Sequence, residues 1–185
     1  MSHKQAKVVL VNKTSGDLLS VGIVHKYSND YKEKQDWAAI KKGEKTSSFT
    51  VNYTTGLLTT GQDWWAISWI DTKGKMYITD PKNIRGFVDF LETVTGPFAK
   101  LAAALSGVAI TDPEPFSKAA AAALAITSAA TAVLTNKEST KGFKSFILRP
   151  EDAGSTMKIT IRDSGVDYHA KSGDDKGNPF KEVKP

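Results

Sequence analysis

Alternation of apolar and polar side chains over the first 80 residues constrains the fold more than any other feature of this sequence. Strand-like stretches, some alternating and some continuously apolar, are separated by turn-forming residues and cover 6–12, 18–27, 37–40, 49–53, 65–69 and 76–79; they return at 143–148, 157–162 and 166–170. In the second stretch one side of the strand carries Leu19, Val21, Ile23, His25 and Tyr27. Each stretch therefore reads as a strand with one face buried and the other solvated.

Roughly nine short strands joined mostly by turns suit an antiparallel two-sheet β-sandwich, so the fold class is mainly β. No alternation of strand and helix that would build a parallel sheet is visible. Side chains at every second position of a strand share one face, and we call this alternation strand parity. Strand parity predicts a core that includes Val21, Ile23, Phe49, Val51, Trp65, Ile67, Trp69, Ile159 and Ile161.

The periodicity becomes helical between residues 84 and 134. The first helical face carries Ile84, Phe87, Val88 and Leu91, and a later Ala-rich run extends from 116 to 134. We expect one sandwich domain over residues 1–170, with this helical insertion packed on a sheet face or at one end. Residues 171–185 are rich in Gly, Lys and Asp, which predicts a flexible C-terminal tail.

The Ala-rich run is too short to cross a membrane, because a spanning helix needs about 20 predominantly apolar residues. Its alanine face permits close helix packing, for example with residues 102–104. Contact with a second protomer or insertion into a membrane surface are the alternatives.

Composition excludes several classes of protein. The chain has no cysteine, which rules out disulfides and Cys-ligated zinc, and favours a reduced, cytoplasmic compartment. The N-terminal residues also lack the apolar core of a signal peptide. The net charge is +5, but only three arginines occur, so specific reading of nucleic acid is not expected.

Candidate catalytic groups are few. The histidines are His3, His25 and His169, and His25 alternates with apolar positions, which favours a hydrogen-bonded core or rim residue over a ligand. No metal-binding, phosphate-binding or nucleophile motif occurs. The sequence therefore predicts neither an enzyme nor a cofactor, and we expect a chelator to leave the melting temperature unchanged.

The aromatic residues are the more informative signal. Trp64 and Trp65 are adjacent on a strand, so if Trp65 and Trp69 face the core, Trp64 faces away from it. Trp64 is then either a surface group that stacks on a sugar or meets a lipid headgroup, or a residue covered by the helical insertion. Tyr27, Tyr31 and Trp37 flank a lysine-rich loop and form either a second ligand-binding patch or ordinary strand-end packing.

Several segments together resemble one family, the up-regulated-in-Daf domain proteins of fungi and nematodes. The resemblance rests on Val9-Leu10-Val11-Asn12-Lys13-Thr14, Lys42-Gly43-Glu44, Thr60-Gly61-Gln62-Asp63-Trp64-Trp65 and Thr79-Asp80-Pro81-Lys82-Asn83. It covers nearly the whole chain, apart from the Ala-rich helices. It implies a cytosolic β-sandwich with no assigned enzymatic activity, and it supplies no catalytic residues.

The leading hypothesis is a non-enzymatic binding or stress-associated protein with an unassigned ligand, compatible with a homo- or hetero-dimer. The alternative is a membrane- or glycan-binding sandwich, similar in architecture to aegerolysins and actinoporin-like lectins. In that alternative Trp64 and the aromatic, basic rim would contact the lipid or glycan.

Overall fold

The computed structural model describes residues 2–28, 31–56, 61–79 and 143–183. Most of this part of the chain is strand, and it contains one short 3-10 turn at Pro150–Asp152. The strands are β1 (Ser2–Lys13), β2 (Leu18–Tyr27), β3 (Tyr31–Ile40), β4 (Phe49–Thr55), β5 (Asp63–Asp71), β6 (Met76–Thr79), β7 (Lys144–Ser145), β8 (Thr156–Arg162), β9 (Gly165–Ala170), β10 (Gly173–Asn178) and β11 (Phe180–Val183).

These strands form two sheets that share one hydrophobic core. The first sheet has the order β10-β9-β8-β1-β4, and the second has the order β11-β6-β5-β2-β3, with β7 paired to β5. Every residue of the predicted core belongs to the shared cluster and is buried, except Phe49, which is half-buried against it. The mainly β, two-sheet prediction is therefore confirmed for the described residues.

One pairing contradicts the prediction of purely antiparallel sheets. β1 and β8 are parallel neighbours in the middle of the first sheet, with Leu10 opposite Ile159. A parallel pair needs a long connection between its strands, and here nearly the whole chain separates them. Turn signals report only on strands that are adjacent in sequence, so they could not reveal this pair.

β2 differs from its predicted pattern in two ways. A bulge between Leu19 and Gly22, with Ser20 at φ 45°, shifts the parity, so Leu18 rather than Leu19 joins the core. The strand is also buried on both faces, because Val24 is buried although it alternates with the core residue Ile23. The prediction of a half-buried strand was wrong.

The same outer face is buried on β5, the neighbour of β2. Ala66, Ser68 and Ile70 alternate there with the core residues, and all three are buried. Such burial on both faces is typical of a sheet that is covered on both sides.

Residues 173–183, where the sequence predicts a flexible tail, instead form the edge strands β10 and β11. The buried Asn178 amide donates to the carbonyl of Val166, which fixes β10 beside β9. Pro179 separates the two strands, and Phe180 then packs on the core from the other sheet. The composition of this segment does not predict the strands, because they are held by backbone pairing and by two single side chains, Asn178 and Phe180.

The helical insertion predicted for residues 84–134, including its Ala-rich run, lies outside the described residues. Within the described part, no helix has the length and apolar character needed to cross a bilayer.

Candidate functional site: a cavity at one end of the sandwich

A cavity of about 250 Å³ opens at one end of the sandwich, where three turns meet. The turns are 14–17 after β1, 71–73 after β5 and 162–163 after β8. They gather because Leu18 lies opposite Asp71 in the second sheet and Lys13 lies opposite Arg162 in the first. We call this space the end cavity.

Three aromatic rings form the floor of the end cavity. Trp69 stacks on Tyr77, with ring centroids 5.8 Å apart and planes 23° apart. Phe180 meets both rings edge-on, at 5.0 Å from Trp69 and 5.4 Å from Tyr77. Trp69 is only 3% exposed, whereas Tyr77 and Phe180 are half-buried, so the last two offer aromatic surface to the cavity.

The turns around the cavity are held by hydrogen bonds between side chains and backbone. The buried Asn12 carboxamide accepts from the N–H of Thr14 at 2.9 Å and donates to the carbonyl of Gly16 at 2.9 Å. Oδ1 of Asp163 accepts from the N–H of Ser15 at 3.1 Å, which ties the first turn to the third. The cavity walls are therefore preorganised.

Three aspartates stand on the cavity walls, and their oxygens differ in availability. Oδ1 of Asp71 accepts from the N–H groups of Lys73 and Lys75, and Oδ2 accepts from the Tyr77 hydroxyl at 3.3 Å. Asp17 uses Oδ1 to accept from the N–H of Lys42 at 2.8 Å. Within the described residues, Oδ2 of Asp17 and Oδ2 of Asp163 make no hydrogen bond.

Two cationic side chains also line the cavity. Nε of Arg162 donates to Asp167 at 2.7 Å, and this contact lowers the pKa of the Asp167 carboxyl, with help from the N–H of Gly177. Lys73 is exposed at the rim. Burial, followed by the charge of Asp71, raises the pKa of Tyr77, so its hydroxyl stays protonated as a donor.

A second polar feature lies inside the sandwich rather than at its end. Nδ1 of His25 donates to Oε2 of Glu33 at 2.7 Å, and Nε2 donates to Oδ1 of Asp63 at 2.7 Å. Both partners are carboxyl groups, so below the raised pKa of His25 both ring nitrogens carry a proton and the ring is an imidazolium. The ring also lies on Trp65, with centroids 4.3 Å apart. We call His25, Glu33 and Asp63 the buried ion cluster.

The buried ion cluster joins distant parts of the chain. Oδ2 of Asp63 accepts from the N–H of Leu148 at 2.8 Å, which holds the segment leading to β8. Oε1 of Glu33 accepts from the backbone and side-chain N–H groups of Asn52, on the edge strand of the other sheet. Burial lowers the pKa of His25, but the hydrogen bonds and charges of Asp63 and Glu33 outweigh burial and raise it.

The side chains of His25 and Asp63 are fully buried, so no substrate reaches them in this structure. The cluster acts as an internal clamp. The prediction that His25 is a hydrogen-bonded core residue is confirmed.

The structure does not bring the four sequence-predicted ligand residues together. Tyr27 is 4% exposed, and its hydroxyl donates to the carbonyl of Thr54 in the other sheet, so it is a core residue. Trp37 is half-buried, contacts Phe49 and donates to Ser47 Oγ. Trp37 and Tyr31 lie six positions apart on β3, which is about 20 Å along a strand. The backbone of Tyr31 pairs with Tyr27, but its side chain lies outside the described part.

Trp64 lies on the face of β5 opposite Trp65, as its parity predicts, and it is half-buried. It sits on the outer face of the second sheet, away from Tyr27. Sequence reasoning therefore named no residue of the end cavity as a ligand contact. The sequence feature that could have indicated the end cavity is the presence of Asp in three of the turns, since turns that follow neighbouring strands lie together at one end of a sandwich.

Among the described residues, no group of three His, Cys, Asp or Glu side chains is placed to hold a metal ion. A search of curated proteins finds no match to this chain. A family model described as up-regulated in long-lived daf-2 matches residues 2–178, which include nearly all of the described strands. The chain therefore belongs to the family of proteins described as up-regulated in long-lived daf-2.

Proposed function

We propose that this chain is a non-enzymatic binding protein whose ligand occupies the end cavity. The observation that carries the proposal is the aromatic floor of Trp69, Tyr77 and Phe180 beneath polar turns. Binding sites for small molecules typically combine apolar and aromatic surface with a few fixed polar groups. The end cavity has this combination.

Two observations support binding without catalysis. A general acid or base must reach the substrate, but the imidazolium of His25 is buried and both of its nitrogens are occupied. In the end cavity both oxygens of Asp71 already accept hydrogen bonds, so this carboxylate holds its own turn and the Tyr77 ring in place.

The alternative function was binding of either a membrane or a glycan, and the shape of the end cavity favours a glycan. A recessed site of limited volume suits one small ring, whereas membrane contact uses exposed apolar side chains. Among the described residues, Ile147 is the exposed large hydrophobic side chain, at 47%. Trp64, for which the sequence predicts contact with a lipid or a sugar, is half-buried.

Three further proposals rest on the sequence. The absence of cysteine supports a cytoplasmic location. Helical periodicity supports a helical insertion at 84–134, and its alanine face supports a dimer contact as one of its uses.

A thermal-shift screen of the full chain tests the proposed site. The library contains small neutral, cationic and anionic compounds, and a compound that binds the native state alone raises the melting temperature. Phe180→Ala removes part of the cavity floor, so we expect it to abolish the shift. Phe49→Ala is the matched control, because Phe49 is also half-buried but lies beside Trp37.

The proposal fails if no class of compound shifts the wild-type chain. It also fails if Phe180→Ala, checked for folding by circular dichroism, retains the full shift.

A further inference from the structure

We propose that the occupant of the end cavity is a single neutral saccharide ring, an inference that rests on the proposed function above. Its apolar face would lie on Tyr77 and Phe180, and its hydroxyl groups would donate to Asp17 and Asp163. Size, surface chemistry and charge each point to this class of ligand.

The volume sets the size of the ligand. At about 250 Å³ the end cavity is smaller than the roughly 300–1,000 Å³ of sites that hold drug-sized molecules. One six-membered ring with its hydroxyl groups is therefore a better match than a chain of rings or a nucleotide. A longer glycan could enter only by its terminal residue.

The exposed parts of Tyr77 and Phe180 suit the apolar face of a sugar ring. Aromatic side chains combine a large apolar surface with few rotatable bonds, so they bury a ligand face at low entropic cost. The edge-on contact of Phe180 with Tyr77 and the hydrogen bond from Tyr77 to Asp71 fix both rings before a ligand arrives.

The open oxygens of Asp17 and Asp163 suit hydroxyl donors. Each aspartate is already oriented by a backbone N–H on its other oxygen, from Lys42 and Ser15 respectively. A carboxylate held in this way accepts a charge-assisted hydrogen bond without further ordering of its side chain. Sugar hydroxyl groups are donors that can use two such oxygens at once.

The lining carries charges of both signs with one carboxylate in excess, so it disfavours an anionic ligand and offers a cation no purely acidic site. The cavity is lined by three carboxylates, Asp17, Asp71 and Asp163, and by two cations, Lys73 and Arg162. A phosphate or carboxylate ligand would meet the aspartates, and an ammonium ligand would meet the cations. A neutral hydroxylated ring can donate to the carboxylates and accept from the ammonium or guanidinium groups.

The test uses the full chain and isothermal titration with glucose, galactose, mannose and N-acetylglucosamine, with choline and inorganic phosphate as charged probes. We expect at least one sugar to bind, with an affinity that changes little between about 0.05 M and about 0.5 M salt, because the ligand is uncharged. Asp163→Asn keeps an oxygen for the Ser15 N–H but replaces the open carboxylate oxygen. It should weaken sugar binding by about tenfold.

Asp36→Asn is the control, because Asp36 is exposed on β3, away from the end cavity. Equal sugar affinity of Asp163→Asn and wild type would contradict the proposed contact. If choline or phosphate binds instead, and Phe180→Ala prevents it, the end cavity is a binding site but the saccharide assignment is wrong. If none of these probes binds, the saccharide assignment is wrong, and the broader library screen decides the proposed function.

Discussion

Nε2 of His25 lies 2.7 Å from Oδ1 of Asp63, and neither side chain is exposed to solvent. Because Asp63 also accepts from the N–H of Leu148, this contact links β2 and β5 to the segment that precedes β8. Buried ion clusters matter most when they are complete, since removing one member leaves the others without compensation.

Replacing His25 by Gln should therefore be strongly destabilising. The variant leaves Asp63 and Glu33 as two neighbouring carboxylates without a cation between them, and we expect a loss of about 3–5 kcal/mol in the free energy of unfolding. Urea denaturation measures this loss. His169→Gln is the control: His169 is exposed and contacts Asp174, and a surface pair of this kind contributes little to stability.

The His25 cluster should also make stability depend on pH. The folded-state pKa of His25 is raised, so its contribution is complete below the unfolded pKa of about 6.5 and is lost as pH rises through the folded pKa. Relative to His25→Gln, the wild-type chain should lose unfolding free energy as pH rises above about 6.5. Parallel curves for the two proteins in urea titrations would refute this assignment.

The urea titrations that compare wild type with His25→Gln should extend only to about pH 9, so that ionisation of tyrosine does not contribute to the difference. Burial raises the pKa values of Tyr53 and Tyr168, so these hydroxyl groups stay protonated in the folded state throughout that range. In the unfolded chain the pKa of tyrosine is about 10. Below pH 9 a difference between the wild type and His25→Gln therefore reports on the ion cluster.

Trp69 and Trp64 should respond differently to truncation. Trp69 is 3% exposed and belongs to the shared core, so Trp69→Ala should cost about 3–5 kcal/mol of unfolding free energy. Trp64 is half-buried on the outer face, and Trp64→Ala should cost less, about 1–2 kcal/mol. Denaturant titrations compare the two. Equal losses would mean that Trp64 is as deeply packed as the core.

Gly61 should not tolerate a side chain. A Cβ at this position would overlap the Tyr27 hydroxyl group, and the Tyr27 ring is held by its hydrogen bond to Thr54. We expect Gly61→Ala to lower the free energy of unfolding by about 1–3 kcal/mol through overpacking. At Gly16 a Cβ would meet its nearest neighbour at 3.6 Å, so Gly16→Ala serves as the tolerant control. Similar urea midpoints for both variants would contradict the close contact.

The sequence predicts the core well because parity is a local property. Trp65, Ile67 and Trp69 follow one another at every second position, and all three are buried in the shared core. The alternation fails at Ser20, where a bulge between Leu19 and Gly22 changes the register, and the glycine at position 22 alone does not specify such a shift. The alternation of side chains also does not show that the outer face of β5 is buried, since burial of that face depends on which residues pack against it.

The candidate site was harder to predict than the core. Tyr77, Asp163 and Phe180 come from three separate segments of the chain, and Phe180 lies within the stretch whose composition predicts a flexible tail. The turns could have been grouped only with knowledge of strand order, in particular of the parallel pair between β1 and β8. Local patterns do not contain this long-range pairing.

Truncation tests whether the C-terminal strands β10 and β11 stabilise the fold. A chain that ends at Ser172 would lack β10 and β11, together with the Asn178 hydrogen bond to Val166 and the Phe180 contact with Trp69. It would expose the edges of β9 and β6 and open the floor of the end cavity. We expect a loss of about 3 kcal/mol or more in unfolding free energy, because the truncation removes a half-buried aromatic anchor together with the pairing of two edge strands. A chain that ends at Val183 keeps both strands and should unfold at the wild-type urea concentration. If the two truncated chains prove equally stable, residues 173–183 behave as the flexible tail that their composition predicts, and the edge strands contribute little to the fold.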